Sequence, residues 1–317
     1  MSYTLINADC FDWMSCRAEN SITAIVTDPP YGVKEYTNEE LERRRCGEGG
    51  GIWRMPPSFD GCTRQPLPRF SIISDDPIER RRVFEFFNKW ARLALKILVP
   101  GGHVFIASTP LLSDVLSNAM REAGFERRGE IIRTVSTLRG GDRPKGAEHE
   151  FAEISVMPKG MWESWGLYRK PLSEKTVAEN LRRWKAGALH RPTVEMPFCD
   201  LIESGRTPAI ERNIAPHPSL KPQEFLRQLV RAALPLNDGV ILDPFAGSGS
   251  TLAAAHHLGV ECIGIEKDAE FYAIAIEAIP KLAALYRDQK SINRQMESTT
   301  ESEAGQQVLF DVFSMQK

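Results

Sequence analysis

A short strand that leads through a glycine turn into a helix is the feature that most limits the folds open to this chain. Residues 240–243 are an apolar run, Gly247 and Gly249 follow it, and residues 252–255 are rich in alanine. Glycine lets the backbone approach a ligand closely, and the helix start beyond it presents unpaired NH groups. The pattern predicts an α/β protein whose ligands lie at the carboxyl ends of parallel strands.

The glycines alone do not identify the ligand. A dinucleotide-binding fingerprint needs a third glycine, and a P-loop needs a lysine beside Gly249; this chain has neither. Further along, the run 262–265 ends in Glu266, where an acid can accept both hydroxyls of a ribose. The alternative for Glu266 is a solvated charge at a strand end.

A second strand end carries the tetrapeptide Asp28-Pro29-Pro30-Tyr31, which follows the apolar run 22–27. It combines a carboxylate, a rigid turn and an aromatic ring. The carboxylate can accept a hydrogen bond from the amine of a planar base while the ring stacks on that base. The alternative is a stiff exit turn, since proline fixes φ and cannot join a sheet ladder.

Strands and helices alternate along the rest of the chain. The predicted strands are 22–27, 103–108, 131–138, 151–157, 240–243 and 262–266. Apolar residues at helical spacing predict a helix over Ile78 to Ile97, another after Lys221 with Pro222 in its first turn, and a third over Phe271 to Ile279 that Pro280 interrupts. We therefore expect a doubly wound, mostly parallel sheet in which Asp28 and Asp243 both stand at carboxyl ends and share one pocket.

In chain order, with Asp28-Pro29-Pro30-Tyr31 first and the glycine turn at Gly247 and Gly249 last, the motifs resemble those of site-specific DNA amino-methyltransferases of the adenine-N6 or cytosine-N4 family, in the permuted order called the β class. Three further segments resemble family motifs: Asn7 to Cys10, with Ala8 in place of the usual glycine; Leu98 to Ile106, with its Pro-Gly-Gly turn; and His217 to Pro222. The resemblance covers roughly residues 1–157 and 214–287.

This resemblance implies a Rossmann-like enzyme that uses S-adenosyl-L-methionine, with Asp28, Pro29, Pro30 and Tyr31 as catalytic residues. The cofactor-binding residues that it implies are Asp9, Cys10, His217, Ser219, Lys221, Asp243, Phe245, Ala246, Gly247, Ser248, Gly249 and Glu266. The implied reaction is methylation of N6 of a flipped adenine, because Asp in the first motif position leans to adenine and Ser to cytosine-N4. Cytosine-N4 remains the alternative, whereas cytosine-C5 chemistry would need a Pro-Cys dipeptide that the chain lacks.

Residues 127–191 carry 14 Lys or Arg against 8 Asp or Glu. Arg133 and Arg169 belong to this basic stretch, and Trp162, Trp165, Tyr168 and Trp184 are interleaved with it, which suits phosphate contact and base stacking. The alternative is a solvated face with aromatic core anchors. The candidate DNA-binding residues are Arg43, Arg44, Arg45, Arg139, Arg143, Lys145, Arg182, Arg183 and Lys185.

We predict four regions: a catalytic half over 1–157, a target-recognition insert over 158–213, a cofactor-binding half over 214–287 and a flexible tail over 288–317. Residues 34–70 are rich in glycine and proline, which suits a lid over the extruded base or a merely flexible excursion.

Composition agrees with one intracellular enzyme. At 317 residues and 42% hydrophobic, the chain can bury a large α/β core and one smaller module. Its six cysteines have no metal-ligand spacing, so we expect reduced thiols, no metal and no disulfide. No segment resembles a signal peptide or a membrane span. The net charge of −2 argues neither for nor against nucleic acid.

The expected partner is double-stranded DNA, in the cytoplasm. A cognate restriction endonuclease, within a restriction-modification system, and a homodimer are partners that the resemblance allows. A methyltransferase-like DNA-binding protein without turnover is the alternative from another class. Methylation of RNA or of a protein glutamine fits less well, because such enzymes more often carry Asn at the first motif position and lack the permuted order.

Overall fold

The computed structural model describes residues 3–30, 77–135, 143–144, 146–217 and 220–286. Within these ranges the chain forms eight strands and eight helices. The strands are β1 Tyr3–Asn7, β2 Ala24–Thr27, β3 His103–Ser108, β4 Glu126–Thr134, β5 Trp162–Arg169, β6 Leu201–Glu203, β7 Val240–Asp243 and β8 Glu261–Glu266. The helices are α1 Cys10–Ser15, α2 Pro77–Ile97, α3 Ser113–Ala123, α4 Val177–Trp184, α5 Ala209–Ile214, α6 Gln223–Ala233, α7 Ser250–His257 and α8 Ala269–Ala284.

All eight strands belong to one sheet, in the order β1-β8-β7-β2-β3-β5-β4-β6. Strands β1, β8, β7, β2 and β3 run parallel, β5 runs antiparallel to both of its neighbours, and β4 pairs in parallel with β6. Helices α1, α2 and α3 cover one face, and α6, α7 and α8 cover the other, each over its own apolar core. The predicted doubly wound, mostly parallel α/β fold is confirmed.

Two predicted elements need correction. The predicted strand 151–157 is irregular and solvent-exposed, with Phe151 and Val156 42% and 65% exposed. The strand lies instead at β5, because Trp165, Leu167 and Tyr168 there fill the cores on the two faces of the sheet. The range 158–213, predicted as an insert, therefore contributes β5 and β6 to the sheet.

The predicted end of the last helix at Pro280 is also wrong, because α8 continues through this proline to Ala284. A proline inside a helix removes one backbone hydrogen bond and disfavours the helix. Here Ala278, Ile279 and Leu282 on both sides of it are fully buried against the sheet, and this packing keeps the helix intact.

The aromatic and basic residues of the stretch 127–191 divide into two groups. Trp165 and Tyr168 are buried in the core, and Arg133 and Arg169 are buried in salt bridges with Glu163 and Glu126. The alternative of aromatic core anchors therefore applies to Trp165 and Tyr168. Because all four side chains are buried, they are not accessible to DNA. Trp162 is 41% exposed, and Trp184 is partly exposed and donates a hydrogen bond to Ser173.

Helix α4 lies at the amino ends of the parallel strands. The side chain of Asn180, fully buried, donates hydrogen bonds to the carbonyls of Pro100 and Ala186. A Cβ on Gly101, which has φ +83°, would lie 2.9 Å from the backbone of Gly187, so the Pro-Gly-Gly turn before β3 accommodates this contact only with glycine.

Among the helices that the structure describes, none is long and apolar enough to cross a membrane.

Candidate active site

The two distant motifs meet at the carboxyl ends of neighbouring strands. Strands β2 and β7 pair in parallel, with Ile25 opposite Leu242. Asp28 directly follows β2, and Asp243 is the last residue of β7. The hydroxyl of Thr27 donates a hydrogen bond of 2.7 Å to Asp243 Oδ1 and ties the two strand ends together. The structure thus brings Asp28 and the glycine turn to one edge of the sheet.

Asp28 is held by a lysine from the other half of the chain. Lys221 Nζ lies 2.5 Å from Asp28 Oδ2, and the two side chains are only 9% and 15% exposed respectively. Pro29 beside it is buried and Pro30 is exposed, whereas Tyr31 lies outside the described residues. Lys221 was predicted to bind the cofactor, and its contact with Asp28 adds a partner that the sequence pattern did not suggest.

Glu163 at the start of β5 completes a buried cluster of charges. Its Oε1 is 3.4 Å from Lys221 Nζ, and its Oε2 accepts a hydrogen bond of 3.0 Å from Arg133 Nη1. Burial acts to raise the pKa of Glu163, but the charges of Lys221 and Arg133 outweigh it and hold that pKa below its usual value. Burial likewise acts to lower the pKa of Lys221, and Asp28 and Glu163 raise it overall. Both side chains are therefore charged at neutral pH.

Sequence reasoning missed Glu163 as a site residue. It lies within the range predicted as an insert, and no motif contains it. Only the antiparallel pairing of β5 between β3 and β4 brings it to the carboxyl ends of the parallel strands.

The glycine turn is fixed against the end of β8. Gly247 and Gly249 have φ values of +51° and +84°, which favour glycine. The amide of Gly247 donates a hydrogen bond of 2.7 Å to Glu266 Oε2, while Glu266 Oε1 accepts one of 2.8 Å from the amide of Asp268. The predicted ribose-binding carboxylate thus lies directly beside the turn.

The end of β1 lies beside that of β8. Asn7 donates a side-chain hydrogen bond to the carbonyl of Glu266, and Lys267 Nζ is 3.0 Å from Asp9 Oδ2. The other oxygen of Asp9 caps α1 by accepting from the amide of Phe11. Cys10 is buried, and burial raises the pKa of its thiol to about 12, so the thiol stays neutral.

The remaining cofactor candidates differ in exposure. Asp243 is 3% exposed, and burial raises its pKa to about 6. Its Oδ1 also accepts from the amide of Phe245, so Asp243 holds the turn from within. Ala246 and Ser248 are buried as well. The ring of Phe245 packs against that of Trp90, with 6.2 Å between centroids.

His217 lies on the glycine turn. A Cβ placed on Gly247 would be 3.2 Å from His217 Nε2, and the imidazole packs edge-on against Phe271 with centroids 4.4 Å apart. Burial, and then the charge of Lys221, lower the pKa of His217 to about 4, so the ring is neutral at pH 7. Ser219 lies outside the described residues.

The candidate DNA-binding residues do not gather in one place. Arg182, Arg183 and Lys185 follow α4 to the amino ends of the strands, where Lys185 pairs with Asp238 just before β7. The structure does not bring them to Asp28. Arg143 is exposed in the connection from the carboxyl end of β4 to β5. The candidates outside the described residues are Arg43, Arg44, Arg45, Arg139 and Lys145, as are the predicted lid 34–70 and the predicted tail 288–317.

Known proteins are similar to this chain over most of its length. A family model described as DNA methylase matches residues 22–277. The Type II methyltransferase M2.DpnII of Streptococcus pneumoniae is 23% identical over 271 residues, which cover 86% of this chain and 87% of that protein.

Two solved structures have a similar fold. The TTHA0409 protein of Thermus thermophilus superposes with a TM-score of 0.55 at 20% identity, covering 90% of this chain and 97% of that one. The cytosine-N4-specific PvuII DNA methyltransferase superposes with a TM-score of 0.57 at 13% identity, covering 89% and 92%.

Proposed function

Since this chain belongs to the DNA methylase family, we propose that it transfers a methyl group from S-adenosyl-L-methionine to N6 of an adenine flipped out of DNA. The family match over residues 22–277 supports transfer to a base amine. The observation that carries the proposal is the meeting of Asp28 with the glycine turn at one sheet edge. The Asp28 motif precedes the glycine turn in the chain, which supports the permuted β-class order.

The residues at this edge fit the cofactor. The turn at Gly247 allows close approach of a ligand, and the Glu266 carboxylate beside it suits ribose hydroxyls. Asp9 and the backbone at Cys10 would face the adenine end, and the neutral His217 would cover the methionine end. TTHA0409, which has this fold, has been solved in complex with S-adenosyl-L-methionine. When bound, this cofactor supplies a sulfonium methyl group.

Asp28 then activates the amine by hydrogen bonding. The lone pair of an adenine amine is delocalised into the ring, so the flat amine is a weak nucleophile. The Asp28 carboxylate and the Pro29 carbonyl would each accept one amine hydrogen, which favours a tetrahedral nitrogen with an available lone pair. The nitrogen–methyl bond would form as the sulfur–methyl bond breaks to leave a neutral thioether, and one amine hydrogen would leave the nitrogen as a proton. Tyr31 stacks on the base, which has left the duplex at a cost of a few kcal/mol.

Adenine is the proposed target because Asp stands at the first motif position. The similarity to PvuII methyltransferase, a cytosine-N4-specific enzyme, keeps cytosine-N4 as the second candidate. The family match covers both N6 and N4 methylation, so the distinction depends on the pocket around Asp28.

A transfer assay with isotope-labelled cofactor and duplex DNA, followed by nucleoside analysis, tests the proposal. N6-methyladenine is the expected product, and N4-methylcytosine would overturn the choice of base. Asp28→Ala should abolish transfer and leave cofactor affinity within about twofold of wild type. Wild-type protein that binds cofactor and DNA but transfers nothing would instead be a DNA-binding protein without turnover.

For the DNA partner, we propose that the parts of residues 158–213 on the Asp28 side of the sheet, which lie just before β5 and just after β6, take part in target recognition. M2.DpnII is a Type II methyltransferase, which supports a restriction-modification role with a cognate endonuclease. Single-molecule sequencing of DNA from cells with and without this protein would reveal the modified base and its sequence context together.

A further inference from the structure

We propose that Glu163 is a positioning residue for the methyl transfer, which shares Lys221 with Asp28 and so sets how strongly Asp28 accepts the amine hydrogen. This inference rests on the proposed function, because it concerns the same carboxylate. Glu163 itself does not contact the base.

Lys221 is placed between two carboxylates. Its Nζ lies 2.5 Å from Asp28 Oδ2 and 3.4 Å from Glu163 Oε1. Lys221 comes from the segment before α6, Asp28 from the end of β2 and Glu163 from β5, so three distant parts of the chain meet at one ammonium group.

Glu163 is itself held from two sides. Trp165 Nε1 donates to Oε1 at 3.0 Å, and Arg133 Nη1 donates to Oε2 at 3.0 Å. Arg133 is in turn fixed by hydrogen bonds to Ser204 Oγ and to the carbonyl of Gly205. Residues of β4 and β5 and the segment directly after β6 therefore hold Glu163 in place, and Glu163 in turn helps to position Lys221.

The charges explain why a second carboxylate matters. A lysine paired with Asp28 alone would withdraw electron density from the oxygens that must accept the amine hydrogen. Glu163 takes part of the attraction of the Lys221 ammonium, so the oxygens of Asp28 keep more of their electron density and accept a hydrogen bond from the amine more strongly. Among the described residues, the other titratable groups around this cluster are Arg133, Asp243 and His217.

Glu163→Gln removes the charge and nearly preserves the shape. In this variant Lys221 turns fully to Asp28 and the repulsion between the two carboxylates disappears. Both changes favour ionised Asp28, so the acid limb of the pH profile of kcat moves to lower pH, by about one unit. The weaker acceptor lowers kcat about tenfold, while cofactor Kd stays within about twofold.

Lys221→Met should shift the acid limb in the opposite direction. Loss of the cation favours protonated Asp28, so the acid limb moves to higher pH. If Glu163 acts through Lys221, adding Glu163→Gln to Lys221→Met should lower kcat by less than about twofold more. The matched control is Glu126→Gln, which removes the carboxylate paired at 2.6 Å with the buried Arg169 at the amino ends of the strands. This control should leave the acid limb in place.

An unmoved acid limb in folded Glu163→Gln would overturn the proposal. The proposal would also be overturned if Glu163→Gln still lowered kcat about tenfold when added to Lys221→Met. Glu163→Asp keeps the charge but draws the carboxylate back from Lys221, and it decides the matter should the amide variant not fold: an acid limb displaced to lower pH supports the proposal, and an unmoved one overturns it. Wild-type protein that transfers no methyl group to DNA would refute the proposed function itself. Active wild type together with a Glu163→Gln variant whose kcat and acid limb are unchanged refutes this inference alone.

Discussion

Thr27 donates a hydrogen bond to Asp243 across 216 residues of sequence, at 2.7 Å. Thr27 is fully buried, and Asp243 is 3% exposed. This contact joins the end of β2, which leads to Asp28, to the end of β7, which leads to the glycine turn. This hydrogen bond therefore adds to the pairing of β2 with β7 in setting the relative position of the two motifs.

Replacing that hydroxyl should destabilise the protein. Thr27→Val keeps the shape but leaves Asp243 short of a partner, so we expect the free energy of unfolding to fall by about 1–3 kcal/mol. Thr27→Ser keeps the hydroxyl and loses one methyl group, and should cost about 1 kcal/mol. Urea unfolding at pH 7 measures both. Equal losses in the two variants would mean that the hydrogen bond contributes little.

Gly247→Ala should reduce cofactor affinity. Its added Cβ would lie 3.2 Å from His217 Nε2, at a φ of +51°, directly on the turn. Gly259→Ala is the matched control, because Gly259 has a φ of +71° and nothing within 4 Å of an added Cβ. Both variants should lose about 1 kcal/mol of stability from backbone strain. Only Gly247→Ala should weaken cofactor binding, by about tenfold in calorimetry. Equal cofactor affinities for Gly247→Ala and Gly259→Ala would show that the glycine turn does not contact the cofactor.

Most of the correct predictions from the sequence depend on local patterns of apolar residues. Strands β3 and β7 and helix α2 follow from apolar runs and spacing, and the meeting of Asp28 with Asp243 follows from the rule that ligands lie at carboxyl strand ends. The contact of Lys221 with Glu163 depends on the pairing of β5, which no local pattern encodes.

The position of α4 was beyond sequence reasoning for the same reason. Its basic residues look suited to DNA, but the buried Asn180 determines where the helix docks. A single polar side chain within a basic run gives no signal of that kind in the sequence.

Two sets of three basic residues should differ in their effect on DNA affinity. Arg143, Lys159 and Arg206 are exposed and follow the carboxyl ends of β4 and β6, whereas Arg182, Arg183 and Lys185 lie at the amino ends. Alanine at the first set should weaken DNA binding about tenfold and reduce the salt slope by about 2, because phosphate contacts are lost. Alanine at the second set removes the same charge and should change affinity less than about twofold. A larger loss of DNA affinity from the second set would show that DNA binds at the amino ends of the strands instead.

Acid should destabilise the protein partly through His103, which lies at the start of β3 and away from the candidate site. This side chain is 4% exposed, and burial, followed by the charges of Arg169 and Arg128, lowers its pKa to about 3. The unfolded chain, with a histidine pKa near 6.5, binds more protons than the native state between these values. The free energy of unfolding therefore falls as pH drops from about 6.5 towards 3.

His103→Gln removes this titration. We expect it to reduce the loss of stability between pH 7 and about pH 4.5 by roughly 2 kcal/mol, measured by urea unfolding at several pH values. The exposed His149→Gln is the control and should follow the wild-type curve. The groups of His217 and Asp243 titrate in both variants, so their contributions cancel in the comparison. Parallel curves for His103→Gln and wild type would show that His103 takes up protons equally well in the folded and unfolded chain.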